Sequence, residues 1–297
     1  MDIQNRLSKL KASTTNECFS KMKEQLISNE DIRKLHPVFE KKNGENYIKI
    51  SRKVTGLDIA CEVYDNSKHL VGVEFTTDLL DKLGIERNVI NGHILEQYKD
   101  QPFITVSNHP NGHVDGIALI ETVASRVENF KVMVNFILGF VDTMEDNFIT
   151  VNPYKESDKK HISLSGIKES IAHIKEGHPL GFFPAGSVSR LKLRKGKFDI
   201  VDREWQESVV KLIAKSKVPV IPIHIDFRNS YPFYASRFIH WTLQTMALCH
   251  ELKNKDGKTM TITIGDPIMP EEIKLFKKMD KLGNFLKEKT YALAKKG

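Results

Sequence analysis

A chain of 297 residues, 40% of them hydrophobic, is long enough for one large α/β domain with an appendage or for two small domains. Its formal net charge of +7 fits an anionic membrane surface, an acidic carrier protein or nucleic acid, and equally a solvated basic surface with no partner. Cys18, Cys61 and Cys249 stand far apart with no CxxC or metal-type spacing, which argues for reduced cytosolic thiols and against a disulfide framework. The polar start Met1-Asp2-Ile3-Gln4-Asn5-Arg6 lacks the apolar core of a signal peptide. No uninterrupted apolar run approaches the roughly 20 residues of a membrane-spanning helix, so a lipid would have to be met from the membrane surface.

Residues 1–101 read mainly as helices and turns. Leu7, Leu10, Phe19, Met22 and Leu26 recur at roughly helical spacing between charged residues. Lys41-Lys42-Asn43-Gly44 is a polar loop, and Leu79-Leu80-Asp81-Lys82-Leu83-Gly84 ends a helix with a glycine cap. From residue 102 to residue 270, short apolar runs alternate with helical patterns. Strands are expected at 103–106, 131–138, 180–183, 218–225 and 260–264, and helices at 117–127, 162–176 and 207–216. The alternation predicts an α/β domain with a largely parallel sheet flanked by helices. Residues 271–297 form a lysine-rich helical segment that should pack through Ile273, Phe276, Leu282 and Leu286.

In such sheets, sites form beyond the carboxyl ends of strands. Ser107-Asn108-His109-Pro110-Asn111-Gly112-His113-Val114-Asp115-Gly116 directly follows the strand 103–106. His109 at the strand end and Asp115 in the first turn of the next helix can meet across the Asn111-Gly112 turn. A carboxylate that fixes the tautomer of an imidazole makes a general base for a hydroxyl proton. The plain alternative is a structural histidine. A second alternative joins His109, His113 and Asp115 as metal ligands. That set needs both histidines on one helix, whereas Pro110-Asn111-Gly112 favours a loop with His113 lining the cleft.

Phe183-Pro184-Ala185-Gly186-Ser187 also falls just after a strand and could share a cleft with His109. Backbone amides around Gly186 could bind an anionic head group or a developing oxyanion. Arg190 could hold a phosphate or carboxylate. Ser187 lacks the GxSxG context of a hydrolase nucleophile. Val218-Pro219-Val220-Ile221-Pro222 reads as a buried strand whose two prolines place it near a sheet edge or bend. Residues 231–241 mix aromatics with basic residues. Tyr231, Tyr234 and Trp241 would suit a membrane interface with Arg237 facing phosphates, with core packing as the alternative. No recognised module supports a nucleic-acid partner.

In this order, the His109 block, the Phe183 block, Val218 to Pro222 and Gly265-Asp266-Pro267-Ile268 resemble the PlsC-type glycerolipid acyltransferase superfamily. The likeness is to its hemolysin-like, ornithine/glycine-lipid branch. Most members carry HxxxxD. This chain carries HxxxxxD, and residues 108–116 match that branch's NHPxGxxDG. The resemblance covers about residues 71–268 and implies a glycerolipid acyltransferase-like fold. It implies His109 as the base, Asp115 as its orienting partner, and Asn108, Gly186, Ser187 and Arg190 in substrate binding. It implies acyl transfer from an acyl-carrier protein or CoA thioester to a lyso-lipid hydroxyl, with no metal or organic cofactor. With no spanning helix, that substrate places the protein in the cytoplasm, peripheral on the anionic inner face of the cell membrane.

Two departures from the family pattern bear on the acceptor. The usual glutamate of FPEGT is Ala185. The second block, which normally ends in a phosphate-gripping arginine, aligns with residues 147–153 and ends in Asn152-Pro153, with Lys155 nearby. Both argue against 1-acylglycerol-3-phosphate (lysophosphatidic acid) and towards a lyso-amino-acid lipid. A phosphate site rebuilt from Arg190, Lys192 and Arg194 is the alternative. Rivals from other classes are a thioesterase, with water replacing the acceptor, and a non-enzymatic membrane-binding protein.

Overall fold

A computed structural model of the protein describes residues 26–35, 37–135, 138–139, 141–151, 164–194, 196–239, 244 and 247–295. The chain enters through helices α1 (Asn29–Leu35), α2 (Gly44–Thr55), α3 (Leu57–Ser67) and α4 (Gly72–Lys82). β1 (Ile85–Ile90) and a short α5 (His93–Gln97) lead to β2 (Ile104–Ser107) and α6 (His113–Ala124). β3 (Lys131–Asn135), β4 (Phe148–Val151), α7 (Leu164–Lys175) and β5 (Leu180–Phe182) follow. A separate hairpin, β6 (Arg190–Arg194) and β7 (Lys197–Val201), precedes α8 (Glu207–Ser216), β8 (Val220–Asp226) and α9 (Tyr231–Ile239). The chain closes with β9 (Lys258–Ile264), α10 (Pro270–Lys274) and α11 (Met279–Ala292).

Seven strands form one sheet in the order β1-β9-β8-β2-β5-β3-β4. Each pairing in it is parallel except that of β8 with β9. The fold is therefore the expected α/β architecture, a largely parallel sheet flanked by helices. Both faces are covered, which is why the central strands have no solvated side and even Thr105 and Ser107 of β2 are buried. Phe103, Ile221 and Ile223 point into a core shared with Phe75, Leu80 and Leu119 of α4 and α6. Ile104, Val106 and Val220 point into a second core built with Val210 and Ile213 of α8 and Leu282 and Leu286 of α11. Ile273 joins that core, and Phe276 packs partly buried against it, so the last segment docks through the expected residues.

Several elements differ from the sequence reading. The N-terminal region is mainly helical, as expected, but it also contributes a strand. β1 pairs with β9, and Phe75, Leu79 and Leu80 share one core with Phe103, so residue 101 does not divide two cores. The polar middle of β1, Glu86-Arg87-Asn88, hides it from an apolar-run reading, and its place at the sheet edge tolerates those residues. α6 begins at His113 rather than Ile117, because Asp115 caps its first turn (below). β8 is interior, not near an edge. Pro222 sits between the ladder Ile223–Ile264 onward and the isolated bridge Val220–Ile268, where β8 changes partners, so no ladder donor is required of it. Leu7, Leu10, Phe19 and Met22 lie outside the described residues. Among the described residues, no helix is long and apolar enough to cross a membrane.

Candidate active site

β2 ends at Ser107, and the side chain of Asn108 prolongs its pairing with β8. Asn108 Nδ2 donates to Ile225 O at 2.9 Å, and Ile225 N donates to Asn108 Oδ1 at 2.7 Å. Both ends of this buried amide are thus engaged by backbone. This exchange positions the loop.

His109 follows, 18% exposed at its side chain, with Nδ1 3.0 Å from Asp115 Oδ2. The contact is close but not aligned as a hydrogen bond, and Nδ1 is enclosed without such a partner. Asp115 is fully buried and its oxygens are already engaged by the loop. Oδ2 accepts the amides of Asn111 (2.7 Å) and Gly112 (3.0 Å), and Oδ1 accepts Asn111 Nδ2 (3.1 Å). Asp115 therefore caps α6 and folds the six-residue His109-to-Asp115 step into one compact turn. The imidazole face stacks on Phe183, with centroids 4.2 Å apart and planes 27° apart. This contact brings the two sequence blocks together.

The Phe183 block is a tight turn closed by the Gly186 amide, which donates to Phe183 O at 2.9 Å. Gly186 has φ +59°, and a Cβ there would overlap Gln206 Nε2. Its own N–H is spent, so an anion at this turn must look to the amides of Ser187 and Val188. These have no protein acceptor among the described residues. Ser187 Oγ is buried without a hydrogen-bond partner, so no base activates it. Ala185 is completely buried in the second core, and its carbonyl accepts Arg203 Nε at 2.6 Å.

Arg190 opens the hairpin and lines an open cleft of about 650 Å³ together with Arg203, Gln206 and Lys211. His109 does not line this cleft. Burial lowers the Arg203 pKa, and the neighbouring charges of Arg237 and Arg190 lower it further. Glu204 and Glu207 line the cleft too, and Glu207 pairs with Lys211 at 2.7 Å, so its positive charge centres on Arg190 and Arg203. Lys192 is exposed on β6 opposite Asp199, and the Arg194 side chain, Asn152, Pro153 and Lys155 lie outside the described residues.

Sequence reasoning missed two residues that hold this centre. Asp202, just past β7, accepts the His109 amide (3.2 Å) and Ser189 Oγ (2.5 Å) on Oδ1, and Trp205 Nε1 (3.1 Å) on Oδ2. Lys255 is 1% exposed, and its Nζ donates to Asn111 Oδ1 (2.7 Å) and Asn229 Oδ1 (2.6 Å). Burial pushes its pKa down to about 8 against the pull of Asp115 and Glu251. A chain of contacts thus runs from Lys255 through Asn111 to Asp115 and His109. The alternating pattern of residues 190–201 around Gly196 was a readable hairpin signal that would have led to Asp202. Nothing in Asn254-Lys255-Asp256 marks a buried lysine.

His113 is not the loop residue expected. It opens α6, and its Nε2 is enclosed without a partner although part of the residue reaches solvent. Burial, then the Lys255 charge, push its pKa down to about 4, so it is a neutral ring. Among the described residues, it forms no metal-ligand cluster with His109 and Asp115. The aromatic stretch divides. Phe233 and Tyr234 are core, with Tyr234 Oη donating to Pro110 O at 2.8 Å, while Tyr231 and Phe238 are exposed. Trp241 lies outside the described residues.

A buried carboxylate beside a partly open imidazole at the mouth of a largely parallel sheet is the architecture of an α/β group-transfer enzyme. The Acyltransferase family model matches residues 71–296, and the chain belongs to that family; it is an acyltransferase. The lyso-glycine lipid O-acyltransferase of Phocaeicola vulgatus is 27% identical over 235 residues, 77% of this chain and 80% of that protein. The protein of the same name in Bacteroides thetaiotaomicron is 25% identical over 249 residues, 82% of this chain and 88% of its own. Among solved structures, the 1-acyl-sn-glycerophosphate acyltransferase PlsC of Thermotoga maritima aligns with 84% of this chain and 92% of its own. That alignment has a TM-score of 0.44 and 15% identity. Family membership bears out the PlsC-type resemblance and sets aside the non-enzymatic reading.

Proposed function

We infer that the protein is a lyso-lipid O-acyltransferase whose acceptor is a lyso-amino-acid lipid of the glycine-lipid kind, and whose donor is an acyl-carrier protein or CoA thioester. The observation that carries the chemistry is the His109 ring held 3.0 Å from buried Asp115 while staying partly open to solvent. Nδ1 faces the carboxylate, so Nε2 is the nitrogen left for substrate. It takes the proton of the acceptor hydroxyl as that oxygen bonds to the thioester carbonyl carbon. The carbonyl oxygen becomes an oxyanion that the amides of Ser187 and Val188 can meet. Collapse breaks the C–S bond, and the thiolate leaves with the proton from the imidazolium. Asp115 stabilises that imidazolium.

Two observations support the acceptor. Both curated relatives are named for a lyso-glycine lipid. Ala185 is wholly buried, so the family's glutamate has no counterpart and no room at this position. Arg190 and Arg203 offer planar guanidinium groups for an anionic head group, carboxylate or phosphate alike. The protein would act as a peripheral enzyme on the inner face of the cell membrane.

The test incubates purified protein with labelled acyl-carrier protein, and separately with labelled acyl-CoA, against lyso-glycine lipid, lysophosphatidic acid and no acceptor. Transfer should favour the glycine lipid by about tenfold or more, the order expected for one lost charged hydrogen bond to phosphate. His109→Ala should lower kcat by about a hundredfold to ten-thousandfold with an unchanged melting temperature. Higher kcat/KM with lysophosphatidic acid would overturn the acceptor. Acceptor-independent release of the acyl group would make the protein a thioesterase. Near-normal turnover by folded His109→Ala would remove the base.

A further inference from the structure

The hairpin β6–β7 stands outside the main sheet, and acyl transfer at His109 leaves its outer part without a task. Its register places Leu191 opposite Ile200 and Leu193 opposite Phe198, with Lys192 opposite Asp199 on the other face. Near the tip the apolar face is uncovered: Leu193 is 61% and Phe198 62% exposed. A leucine and a phenylalanine paired directly across two strands form a ready apolar contact surface, and nothing among the described residues covers them. α9, which packs beside β6, exposes Phe238 at 69%. The surroundings carry a cationic excess. Lys192 and Lys197 are exposed on the hairpin beside Asp199, and Arg190, Arg203 and Lys211 line the cleft at its base with Glu204 and Glu207.

Both roots of the hairpin are tied to the catalytic loop. Before β6, the Ser189 amide donates to His109 O at 2.8 Å. After β7, Asp202 Oδ1 accepts the His109 amide. The orientation of the hairpin is therefore fixed relative to His109, and whatever holds the tip also aims the cleft.

We propose that the β6–β7 hairpin docks the enzyme on an anionic bilayer, with Leu193 and Phe198 entering the interface and Lys192 and Lys197 meeting lipid phosphates. The proposal rests on the reading of a lipid acceptor and says how that acceptor is reached. The occupant follows from shape and charge. A protruding apolar wedge flanked by ammonium groups matches the layered interface of a bilayer, apolar beneath and anionic above. An acidic carrier protein would match the charge but would have to supply a groove for the wedge. With the tip inserted, Arg190 and Arg203 lie towards the head-group layer, where a lyso-lipid presents its polar end.

Flotation with phosphatidylcholine vesicles containing phosphatidylglycerol tests this without donor or acceptor. The wild-type protein should bind them at least tenfold more strongly than pure phosphatidylcholine, and the preference should shrink as salt rises. The double variant Leu193→Ser/Phe198→Ser should lose at least tenfold in vesicle partitioning with an unchanged melting temperature. Lys197→Glu should weaken binding to the anionic vesicles only. Turnover of a short-chain acceptor in free solution should be the same in the double variant and the wild type, while turnover of vesicle-borne acceptor falls. Undiminished flotation of the double variant would overturn the proposal. So would lost affinity for purified acyl-carrier protein with vesicle binding intact, which would assign the surface to a protein partner. Flotation needs no catalysis, so a failure of lyso-lipid transfer would overturn the proposed function while leaving the docking result to stand or fall alone.

Discussion

Lys255 carries a charge into the interior without a carboxylate in contact among the described residues. Its ammonium bonds two amide oxygens, reaches Arg228 O at 3.4 Å and lies 4.8 Å from the Phe227 ring centroid. Two opposing quantities set its worth. Each charge-assisted hydrogen bond contributes about 1.5–3 kcal/mol, while stripping water from an ammonium costs several kcal/mol. Lys255→Met removes both but leaves the buried Asn111 and Asn229 side-chain oxygens without that donor, so stability should fall by about 1–3 kcal/mol. Activity should respond as well. Without the lysine, the Asn111 amide loses the contact that orients it, and Asn111 is what holds Asp115 Oδ1. We expect kcat to fall at least about tenfold, a misplacement effect of the usual order. Urea melts run beside steady-state kinetics would check this. A variant that is as active as wild type would show that Lys255 only fills space.

The loop between β2 and α6 is the element on which the site turns. Its six-residue step closes because Gly112 adopts φ +83° and ψ −124°, a conformation open essentially to glycine alone. That bend lets the Asn111 and Gly112 amides converge on one carboxylate oxygen. A Cβ at Gly112 would also press on Leu248 and Val188 at 2.9 and 3.2 Å. Gly112→Ala should therefore cost about 1–3 kcal/mol of stability and a larger share of activity than of fold. A lowered thermal midpoint with kcat reduced at temperatures well below it would bear this out; unchanged kcat would show that the loop tolerates another path. His109, Gly112 and Asp115 are legible in the sequence because they lie in one contiguous stretch with its own turn residues. Asp202 and Lys255 are not, because they join that stretch from 93 and 144 residues away. The same division holds for the strands. β2, β5 and β8 announce themselves as apolar runs because both faces are buried. β1 does not, because an edge position needs little apolar surface.

At the scale of the molecule, three histidines among the described residues are held neutral by burial: His113, His173 and His224, each with its pKa lowered from the ordinary value. The unfolded chain takes up protons at these positions near pH 6.5, whereas the folded protein resists until lower pH. The unfolded state then binds more protons, so stability must fall as pH falls. The window for His113 runs from 6.5 down to about 4, and the loss it contributes is about 3 kcal/mol. Lys255 acts in a second window with the same slope. Its folded pKa of about 8 lies below the unfolded value of 10.5, so the charge burdens the fold below 8 and is relieved as pH rises between 8 and 10.5. The protein should therefore be distinctly more stable at pH 8.5 than at pH 4.5. Urea midpoints at those two pH values and at 6.5 would measure the slope. His113→Phe keeps a ring at the start of α6 and removes its titration, so it should flatten the acid limb by about 3 kcal/mol. If the variant keeps the wild-type slope, the acid sensitivity belongs to other groups. If it flattens the slope, acid unfolding is coupled directly to the loop that carries His109 and Asp115, because His113 lies between them.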